Sequence, residues 1–405
     1  MKQERYKKPN AFSYGIGRLV SFFYTTFRLN HRFIRNELRN IRGPAVVLGN
    51  HASSCDQFIA CRSCRRRITY VISEAMYYTL PAPWFFSSLH LIKKQQFFTS
   101  LADIRNMKDV IRNNGILLLY PAGVVPSCGK STKLLSATGK FLKMLRADTY
   151  IIREHGMNIS NPKWQDEIRK GKPETEVFRL FTADELRELS PEEVFVKTSD
   201  ALDFDDYEWQ ETRMVGFKGG NRTEGLENVL HSCPVCSSRF SIVNTDNSLT
   251  CSACGFSTKA DDYGFLHSDS EGFAFRHPSV WESAIHSSIR ESMAGNPGFT
   301  YSSKALITRL DKDLRCFSEL GKGSVTVTGH EISIVLDSGE NCYRESTVHF
   351  PILPMIPGKY FDLQDGSTVF RCYPEEKKDV AYVTDIVSCM AELRETQRGK
   401  GIHFP

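Results

Sequence analysis

Short runs of apolar residues alternate with longer amphipathic stretches between residues 44 and 156. The short runs have the length of buried strands, and apolar residues recur at helical spacing around residues 102–113 and 133–146. The predicted strands are AVVLG (45–49), ITYVIS (68–73), GILLLYPAG (115–123) and TYIIREHG (149–156). Because strands that alternate with helices usually pair in parallel, the pattern predicts an α/β fold, a mostly parallel sheet with flanking helices.

The pattern becomes more polar after residue 180. The stretch TADELRELSPEEV (182–194) contains two helix starts, Thr-Ala-Asp-Glu and Ser-Pro-Glu-Glu, and predicts two short helices. We place the end of the first domain between residues 200 and 212. The glycine-containing stretch FKGGNRTEGLEN (217–228) that follows is interpreted as a linker.

The C-terminal half has a different pattern, in which short β-rich runs separated by turn residues occupy residues 300–372. These runs include GSVTVTG (323–329), EISIVL (331–336), STVHF (346–350) and STVFRCY (367–373). One helix is predicted before them, over 278–293. A final helix is predicted from a single apolar face, formed by Val380, Val383, Val387 and Met390. We therefore expect a small β-rich domain with a C-terminal helix.

Basic residues are concentrated at the N-terminus. Residues 1–45 contain ten Lys and Arg against Glu4 and Glu37, a local net charge of +8, whereas the whole chain carries +5. Apolar residues recur there at helical spacing: Phe12, Ile16, Leu19, Val20, Phe23 and Phe27. A basic helix of this composition is typical of a membrane interface with anionic lipid. Residues 1–42 are thus predicted to associate with a membrane, and the alternative is a helix packed on the core with solvated arginines; both can hold at once.

The predicted location is the cytoplasm, on the inner face of the membrane. The sequence has no run of eighteen uncharged apolar residues, so we expect no segment that crosses a bilayer. Arg18 interrupts the N-terminal apolar stretch and no small-residue cleavage site follows it, so we expect no secretory signal. Twelve cysteines in 405 residues are too few for a disulfide scaffold.

Two C-x-x-C pairs, CPVC and CSAC, are separated by fourteen residues. Four thiolates at this spacing suit a closed, structural zinc site, a zinc ribbon, formed by Cys233, Cys236, Cys251 and Cys254. A redox role for either pair is the alternative. Acidic residues that would repel phosphate surround the pairs, namely Asp246, Asp261, Asp262, Asp269 and Glu271. We therefore expect a spacer or docking module and no nucleic-acid partner.

Four further cysteines lie in the first half of the chain: Cys55, Cys61, Cys64 and Cys128. They include one C-x-x-C pair, CRSC, which has no partner pair at ribbon spacing. Buried free thiols are the simplest interpretation, and a second metal site or a nucleophilic Cys55 is the alternative.

The stretch GNHASSCDQF (49–58) places His51 and Asp56 five positions apart, directly after the first predicted strand. A neutral imidazole can take a proton from a hydroxyl while a carboxylate on its other nitrogen fixes the tautomer. In a continuous helix, residues five apart point about 140° away from each other, so the two side chains meet only if a strand turns into a helix between them. The alternative is a structural histidine beside a surface aspartate.

Further residues give this pair a context. Together with the pair, these residues resemble the glycerolipid acyltransferase family, 1-acylglycerol-3-phosphate type, whose first motif is H-x-x-x-x-D. They are Asn50 before His51, GILLLYPAG about seventy residues later, and SATGKFLKMLRADTYIIREHG (136–156). The resemblance covers roughly residues 40–200. It implies that His51 is the general base on an acceptor hydroxyl, that Asp56 orients it, and that the alkoxide attacks the thioester of acyl-CoA or acyl carrier protein. The implied acceptor is a lysophospholipid or another lipid precursor.

The chain departs from that family at the motifs for acceptor phosphate. The family's third motif is F-P-E-G-T-R, whose arginine can bind phosphate through two hydrogen bonds, whereas Tyr120–Val125 here lacks both the glutamate and the arginine. Where the family's second motif usually has an arginine, this chain has two lysines nearby, Lys93 and Lys94. Substrate binding is therefore expected at Asn50, Lys93, Lys94, Pro121, Gly123 and Lys130, with Lys133 as a further substitute. The alternative is a catalytically degenerate, lipid-binding or scaffolding protein with the same fold.

Residues 300–395 resemble a pleckstrin-homology-like domain in the order of their elements and in GSVTVTGHEISIV (323–335). The resemblance implies a lipid head group or a protein as ligand, and a structural or dimerising module is the alternative because no dense basic cluster is present. The predicted division of the chain is a membrane-associating segment 1–42, a catalytic domain 43–212, a linker and zinc ribbon 213–270, a helical connector 271–298 and a pleckstrin-homology-like domain 299–405.

Overall fold

The computed structural model describes residues 6–270, 273–296, 298–347 and 350–399, and the chain forms two compact units, Met1–Gly220 and Asn221–Pro405. The boundary falls inside the stretch interpreted as a linker. The finer division at residues 212, 270 and 298 stays a prediction. Residues 1–5 of the predicted membrane segment, Glu271 beside the cysteine pairs and the start of the predicted connector lie outside the described residues.

One seven-stranded sheet forms the centre of the first unit. Its strands are, in chain order, β1 (Arg32–Asn36), β2 (Ala45–Gly49), β3 (Ile68–Ser73), β4 (Ile92–Lys94), β5 (Ile116–Leu119), β6 (Asp148–His155) and β7 (Glu174–Phe181). The spatial order is β1-β7-β6-β2-β5-β3-β4. Among the described residues all neighbouring strands are parallel except β6 and β7, which are antiparallel. The predicted mostly parallel sheet is therefore present.

Helices cover both faces of this sheet. They are α1 (Ala11–Phe23), which a π-helical turn continues to Arg28, α2 (Asp56–Ser63), α3 (Glu74–Thr79), α4 (Pro83–Ser88), α5 (Leu101–Arg112), α6 (Ala137–Leu145), α7 (Met157–Ser160), α8 (Glu185–Glu188), α9 (Pro191–Leu202) and α10 (Asp206–Arg213). Buried side chains of α5, α6 and α9 pack against one face of β2, and those of α2 pack against the other. All five residues of β2 are buried, as a central strand covered on both faces requires.

Two predicted elements have different limits in the structure. The strand expected over 115–123 ends at Leu119, because a turn closed by a hydrogen bond from the Gly123 N–H to the Tyr120 carbonyl follows it. The helix expected from residue 133 begins at Ala137, because the preceding segment is extended and the Ser131 N–H donates to the Phe204 carbonyl. The helices predicted over 102–113 and 182–194 are confirmed within a few residues.

Antiparallel strands dominate the second unit. They are β8 (Ile242–Thr245), β9 (Ser248–Cys251), β10 (Ser257–Ala260), β11 (Leu266–His267), β12 (Thr300–Asp311), β13 (Cys316–Thr328), β14 (Glu331–Leu336), β15 (Asn341–Ser346), β16 (Met355–Ile356), β17 (Tyr360–Asp365) and β18 (Thr368–Pro374). One sheet has the order β11-β10-β9-β8 and the other β15-β14-β13-β12-β18-β17-β16. Of the β-rich run predicted over 346–350, Ser346 ends β15, and residues 348 and 349 lie outside the described residues.

Within the described residues of the second unit there are two α-helices, α11 (Pro278–Ala294) and α12 (Asp379–Gly399), and a short 3₁₀ turn at Leu226–Asn228. Both helices were predicted. The expected apolar face of α12 is buried, with Val380, Val383 and Val387 fully inaccessible and Met390 nearly so. A seven-stranded antiparallel sheet followed by a C-terminal helix has the predicted order of elements, and the resemblance to a pleckstrin-homology domain stays a prediction.

Candidate functional site

The predicted strand-to-helix turn lies between β2 and α2. The Asn50 N–H still donates to the Ile152 carbonyl of β6, and Asp56 is the first residue of α2. Between them His51 has a φ of +39°, a left-handed conformation that a residue with a side chain adopts rarely. Such backbone strain is tolerated where the surrounding structure fixes the position of a side chain. The turn thus brings the imidazole back towards the start of the helix.

His51 and Asp56 form the expected pair. The His51 Nδ1 lies 2.7 Å from the Asp56 Oδ2. The other carboxylate oxygen, Oδ1, accepts hydrogen bonds from both the N–H and the hydroxyl of Ser53, each at 2.8 Å. Asp56 is completely buried, so its orientation is fixed by these donors. With Nδ1 donating to Asp56, the lone pair of the neutral imidazole is on Nε2, which has no hydrogen-bond partner among the described residues.

The His51 side chain remains 24% accessible, so an acceptor hydroxyl can approach it. One face of the ring stacks on Tyr120, with 4.4 Å between the ring centroids. Tyr120 directly follows β5, the parallel neighbour of β2, so both residues lie at the carboxyl edge of the sheet. Gly49 makes this stacking possible, because a Cβ atom there would lie 2.3 Å from the Tyr120 ring. The arrangement can therefore take up a proton at a defined atom at the sheet edge.

Residues of the altered third motif lie beside this pair. Pro121 and Gly123 belong to the turn after Tyr120, and Gly123 has a φ of +75° with the Phe97 ring 3.1 Å from where a Cβ would be. The Gln96 side chain donates to the Gly123 carbonyl. The segment after β4 thus packs on the turn that follows β5. Pro121 and Gly123 give this turn its shape, and their predicted contact with substrate stays a prediction.

The other predicted substrate-binding residues occupy three different environments. The Asn50 amide is buried and already bonds both to the carbonyl and to the N–H of Glu154. Lys93 is exposed, and its ammonium group lies 5.0 Å from the centre of the Tyr77 ring. Lys94 is partly buried, which lowers the pKa of its ammonium group. Lys130 is exposed and belongs to an isolated β-bridge with Asp205. Their roles in substrate binding stay predictions.

Sequence reasoning missed the segment that supports these turns, residues 157–164. The Asn161 Oδ1 accepts hydrogen bonds from the Ser54 hydroxyl at 2.8 Å and from the Cys55 thiol at 3.2 Å. Three other side chains of the segment donate to main-chain carbonyls of residues 125–127: Asn158, Lys163 and Trp164. The segment therefore ties the turn that carries His51 to the end of the third-motif turn. No motif marked it, because these contacts are far apart in sequence.

The cysteines of the first unit are buried free thiols. Burial raises the pKa of Cys55, although hydrogen bonds with Tyr24 and Ser54 oppose this effect. A thiol whose pKa is raised is a poor nucleophile, so the geometry does not favour Cys55 for covalent chemistry. Among the described His, Cys, Asp and Glu residues, the only group placed to hold a metal ion lies elsewhere, in the second unit.

That group is the predicted set of four cysteines, Cys233, Cys236, Cys251 and Cys254, whose sulfur atoms all lie within 4.8 Å of one another. Two of the sulfur–sulfur distances, between Cys233 and Cys254 and between Cys236 and Cys251, are 3.7 Å. Four thiolates at about 2.3 Å from a tetrahedral zinc ion would be about 3.8 Å apart. The cluster can therefore hold one metal ion such as zinc.

Tight turns present the four sulfur atoms. The Ser237 N–H donates to the Cys233 carbonyl, and the Gly255 N–H donates to the Cys251 carbonyl. The Val235 N–H points at the Cys233 sulfur, 3.4 Å away. The buried Trp281 of α11 donates its indole N–H to the Ser232 carbonyl, next to the first cysteine. The hydrogen bonds to the Ser232 and Cys233 carbonyls thus support the first turn independently of the thiol groups.

The apolar face of α1 is the third feature that the sequence predicted. Its residues are exposed, with Phe12 77%, Leu19 57% and Phe23 52% accessible. Six residues line a shallow, open groove along this face: Leu19, Val20, Phe23, Tyr24, Phe27 and Arg28. Small and polar residues of the opposite face are buried instead, including Ser13 and Ser21. In the described part of the chain, no helix has both the length and the apolar composition that are needed to cross a bilayer.

No protein-family model matches the chain, and no curated protein matches it in sequence. Some solved structures are similar to parts of the chain. One is the 1-acyl-sn-glycerophosphate acyltransferase PlsC from Thermotoga maritima, which is 14% identical in sequence. The similarity covers 50% of this chain and 78% of the PlsC chain, with a TM-score of 0.39. Another is the Ran binding domain of Nup2 from Ashbya gossypii, at 16% identity over 24% of this chain and 99% of that one, with a TM-score of 0.20. At TM-scores this low, neither likeness supports a function for this chain.

Proposed function

We propose that the protein is a peripheral membrane O-acyltransferase in which His51 is the general base. The observation that carries the proposal is the hydrogen-bonded pair of His51 and Asp56 at the carboxyl edge of the parallel sheet, with a partly exposed imidazole whose Nδ1 is held by a buried carboxylate. A base needs a fixed tautomer and an approach for its substrate, and the pair of His51 and Asp56 suits both requirements.

In the proposed reaction the His51 Nε2 takes the proton of an acceptor hydroxyl. The resulting oxygen nucleophile forms a bond to the thioester carbonyl carbon of acyl-CoA or acyl carrier protein, and the C–S bond breaks as the tetrahedral intermediate collapses. The imidazolium then returns its proton to the leaving thiolate. Asp56 stabilises the imidazolium and keeps the ring in one orientation.

The acceptor in this proposal is a lysophospholipid or another lipid precursor with a free hydroxyl. Val125 stands where an arginine would bind a phosphate, and the other candidate cations are lysines, which offer a point charge without a planar pair of donors. Simple glycerol phosphates should therefore be poor acceptors. Efficient use of glycerol 3-phosphate that survives substitution of Lys93, Lys94, Lys130 and Lys133 would contradict this part of the proposal.

The exposed face of α1 supports a place for the enzyme on the membrane surface. Contiguous apolar side chains exposed on a helix mark an interaction surface, and Arg28 at the edge of the groove adds a positive charge that suits anionic lipid. The exposed Trp84 of α4 lies in a helix that is hydrogen-bonded to α1 through Ser88 and Ser13. Tryptophan is enriched at membrane interfaces.

The test is acyl transfer from a labelled thioester to a panel of phosphorylated and neutral hydroxyl acceptors in vesicles. His51→Ala should lower the rate by about 10²–10⁴-fold, the loss expected for a general base, while donor binding is retained. Asp56→Asn should also slow the reaction, because the amide disturbs the tautomer. His267→Ala is the matched control: His267 forms an exposed pair with Asp261 at the same 2.7 Å distance, and its loss should not change the rate.

The alternative proposal is a lipid-binding or scaffolding protein that has lost turnover. It predicts binding of the thioester or of the lipid by wild type and His51→Ala alike, with no acyl transfer to any acceptor. Equal transfer by wild type and His51→Ala would contradict the acyltransferase mechanism itself.

We also propose that the four-cysteine cluster binds one structural Zn²⁺. Metal content of protein purified without chelators should be close to one zinc per chain, and all four thiols should resist alkylation until a chelator is added. Cys316→Ser, at an exposed cysteine outside the cluster, is the matched control for Cys236→Ser. Zinc-free protein in which the four thiols react in the native state, or a stable disulfide within either C-x-x-C pair, would contradict the structural zinc site.

A further inference from the structure

Glu154 is a buried acid that the proposed reaction does not use. It is the last residue but one of β6 and is 1% accessible. Its main chain is fixed on both sides by the Asn50 amide, which donates to the Glu154 carbonyl at 2.9 Å and accepts from the Glu154 N–H at 3.0 Å. Because side chains alternate along a strand, Glu154 points to the same face of the sheet as Tyr150 and Ile152, the face covered by α2.

No N–H or O–H group of the described residues donates a hydrogen bond to either carboxyl oxygen of Glu154. A buried carboxylate without donors is strongly disfavoured, whereas a neutral carboxylic acid needs only an acceptor for its own O–H. Burial raises the pKa of Glu154 well above its usual value, and the charge of Asp56 raises it further. Two acids that share one buried site cannot both be ionised without a large cost.

The groups that face Glu154 leave Asp56 as the acceptor for its proton. Asp206 is also buried, but its oxygens accept hydrogen bonds from the main-chain N–H groups of Gly156 and Asn158, each at 2.8 Å. Tyr120, whose buried hydroxyl has no partner among the described residues, and Cys55 are the other titratable neighbours, and burial raises the pKa of both. A carboxylate is a stronger acceptor than a neutral hydroxyl or thiol, which favours Asp56. The Asp56 carboxylate already accepts one hydrogen bond from His51 and two from Ser53. A hydrogen bond from the Glu154 O–H would be a fourth.

We propose that Glu154 is a neutral carboxylic acid whose O–H donates to Asp56, which makes Glu154 a positioning residue for the pair of His51 and Asp56. The proton stays on Glu154 at neutral pH, so the site carries one buried negative charge at this pair instead of two. The extra donor fixes the Asp56 carboxylate and moderates its basicity towards the imidazole. The effect on catalysis rests on the proposed acyl transfer, but the protonation state and the hydrogen bond do not.

The test uses two substitutions of similar volume, Glu154→Gln and Glu154→Met. Gln keeps a donor for Asp56, whereas Met fills the space without one. The infrared difference spectrum of wild type minus Glu154→Gln at pH 7 should contain the carbonyl band of a protonated carboxylic acid. Subtraction removes the contribution of Asp206, whose pKa burial raises to about 7. A carboxylate band in place of the acid band would overturn the proposal.

The second readout is the proton resonance of the His51 Nδ1–H that is shared with Asp56, assigned by its loss in His51→Ala. Glu154→Gln should leave this resonance near the wild-type position, and Glu154→Met should move it downfield because Asp56 has lost a donor and accepts more strongly from the imidazole. Equal shifts in both variants would reduce Glu154 to a packing residue and overturn the proposal. If Glu154→Met does not fold, the infrared comparison with Glu154→Gln decides alone.

The rate of acyl transfer is a third measurement, independent of the two spectroscopic ones. In a protein that transfers acyl groups, Glu154→Gln should retain the rate within about 3-fold and Glu154→Met should lose about 10-fold or more, the order expected for a misplaced general base. Wild-type protein without acyl transfer but with both spectroscopic results would contradict the proposed function and leave the role of Glu154 intact.

Discussion

The first and the last helix of the chain, α1 and α12, have similar patterns of apolar residues but opposite surroundings. Val380, Val383 and Val387 of α12 are fully buried, whereas Leu19, Val20 and Phe23 of α1 are exposed. Both helices form where the spacing predicted them. Periodicity therefore predicts a helix and its apolar face, but it does not predict whether the protein itself covers that face.

The buried face of α1, which includes Tyr14, explains how the helix is held while its apolar face stays exposed. The Ser21 hydroxyl donates to the Gly17 carbonyl, and the Thr25 hydroxyl donates to the Ser21 carbonyl, so the polar groups of this face are satisfied within the helix. Arg18 donates to main-chain carbonyls just after α2, including that of Arg65 at 3.0 Å. A cation suits the C-terminal end of a helix. Arg18 is therefore a half-buried arginine that is hydrogen-bonded to the main chain and not a fully solvated one.

The largest expected difference comes from the same substitution in the two helices. Val387→Asp places a carboxylate in the core of the second unit and should lower the free energy of unfolding by about 4 kcal/mol or more. Val20→Asp on the exposed face of α1 should change it by less than about 0.5 kcal/mol. Chemical denaturation of both variants measures the difference. Comparable destabilisation by the two substitutions would show that the face of α1 is covered in the folded protein.

A second prediction concerns what covers the face of α1. Val20→Asp combined with Phe23→Asp should lower binding to anionic vesicles by about 10²-fold, since two apolar side chains and the local positive charge are lost from the interface. The matched control is Val196→Asp on α9, an apolar residue with similar exposure. Flotation with vesicles at low and high salt measures the binding. Equal binding by the double variant and the control would contradict membrane association through this face.

The smallest predicted effect concerns pH and the contact between α11 and α12. Burial alone would lower the pKa of His286, but the charges of Asp385, Glu282 and Glu392 outweigh burial and raise it to about 9. Protonated His286 therefore contributes its full stabilisation below about pH 6.5, and this is lost as the pH rises through about 9. The expected decrease is about 2 kcal/mol in the free energy of unfolding of the second unit.

His286→Gln removes the titrating group of this contact and serves as the reference. Denaturation curves between pH 6.5 and 9, recorded for protein that retains its metal, should show a clear decrease for wild type and a flatter profile for His286→Gln. Parallel profiles for the two proteins would mean that the ion pair with Asp385, 3.1 Å apart, does not contribute to stability.

Much of the fold could be predicted because its central strands are strongly patterned. β2 is a continuous apolar run and β6 contains the apolar run YII, and both were placed within a residue or two. β1 and β7 were missed, since RFIRN and ETEVFRLF contain charged residues that read as loop or surface. Their place in the sheet depends on pairing between segments about 140 residues apart, and local spacing carries no information about such pairing.

The candidate sites show the same limit. His51, Asp56 and the four cysteines were predicted because their chemistry depends on residue type and short spacing. Tyr120 and Glu154 were not, because each reaches the site through the register of β2 with a neighbouring strand. Ser53 was within reach of sequence reasoning: a serine three residues before an aspartate at a helix start is a recognisable turn pattern.

We propose that the protein transfers an acyl group to a lipid at the membrane surface, with His51 as the general base. The most direct measurement is an unbiased comparison of lipid extracts from cells that contain wild-type protein, His51→Ala, or no protein. An acylated lipid should accumulate, with depletion of its hydroxyl precursor, only in cells with wild-type protein. Identical lipid profiles in all three, or the same change with His51→Ala as with wild type, would contradict it.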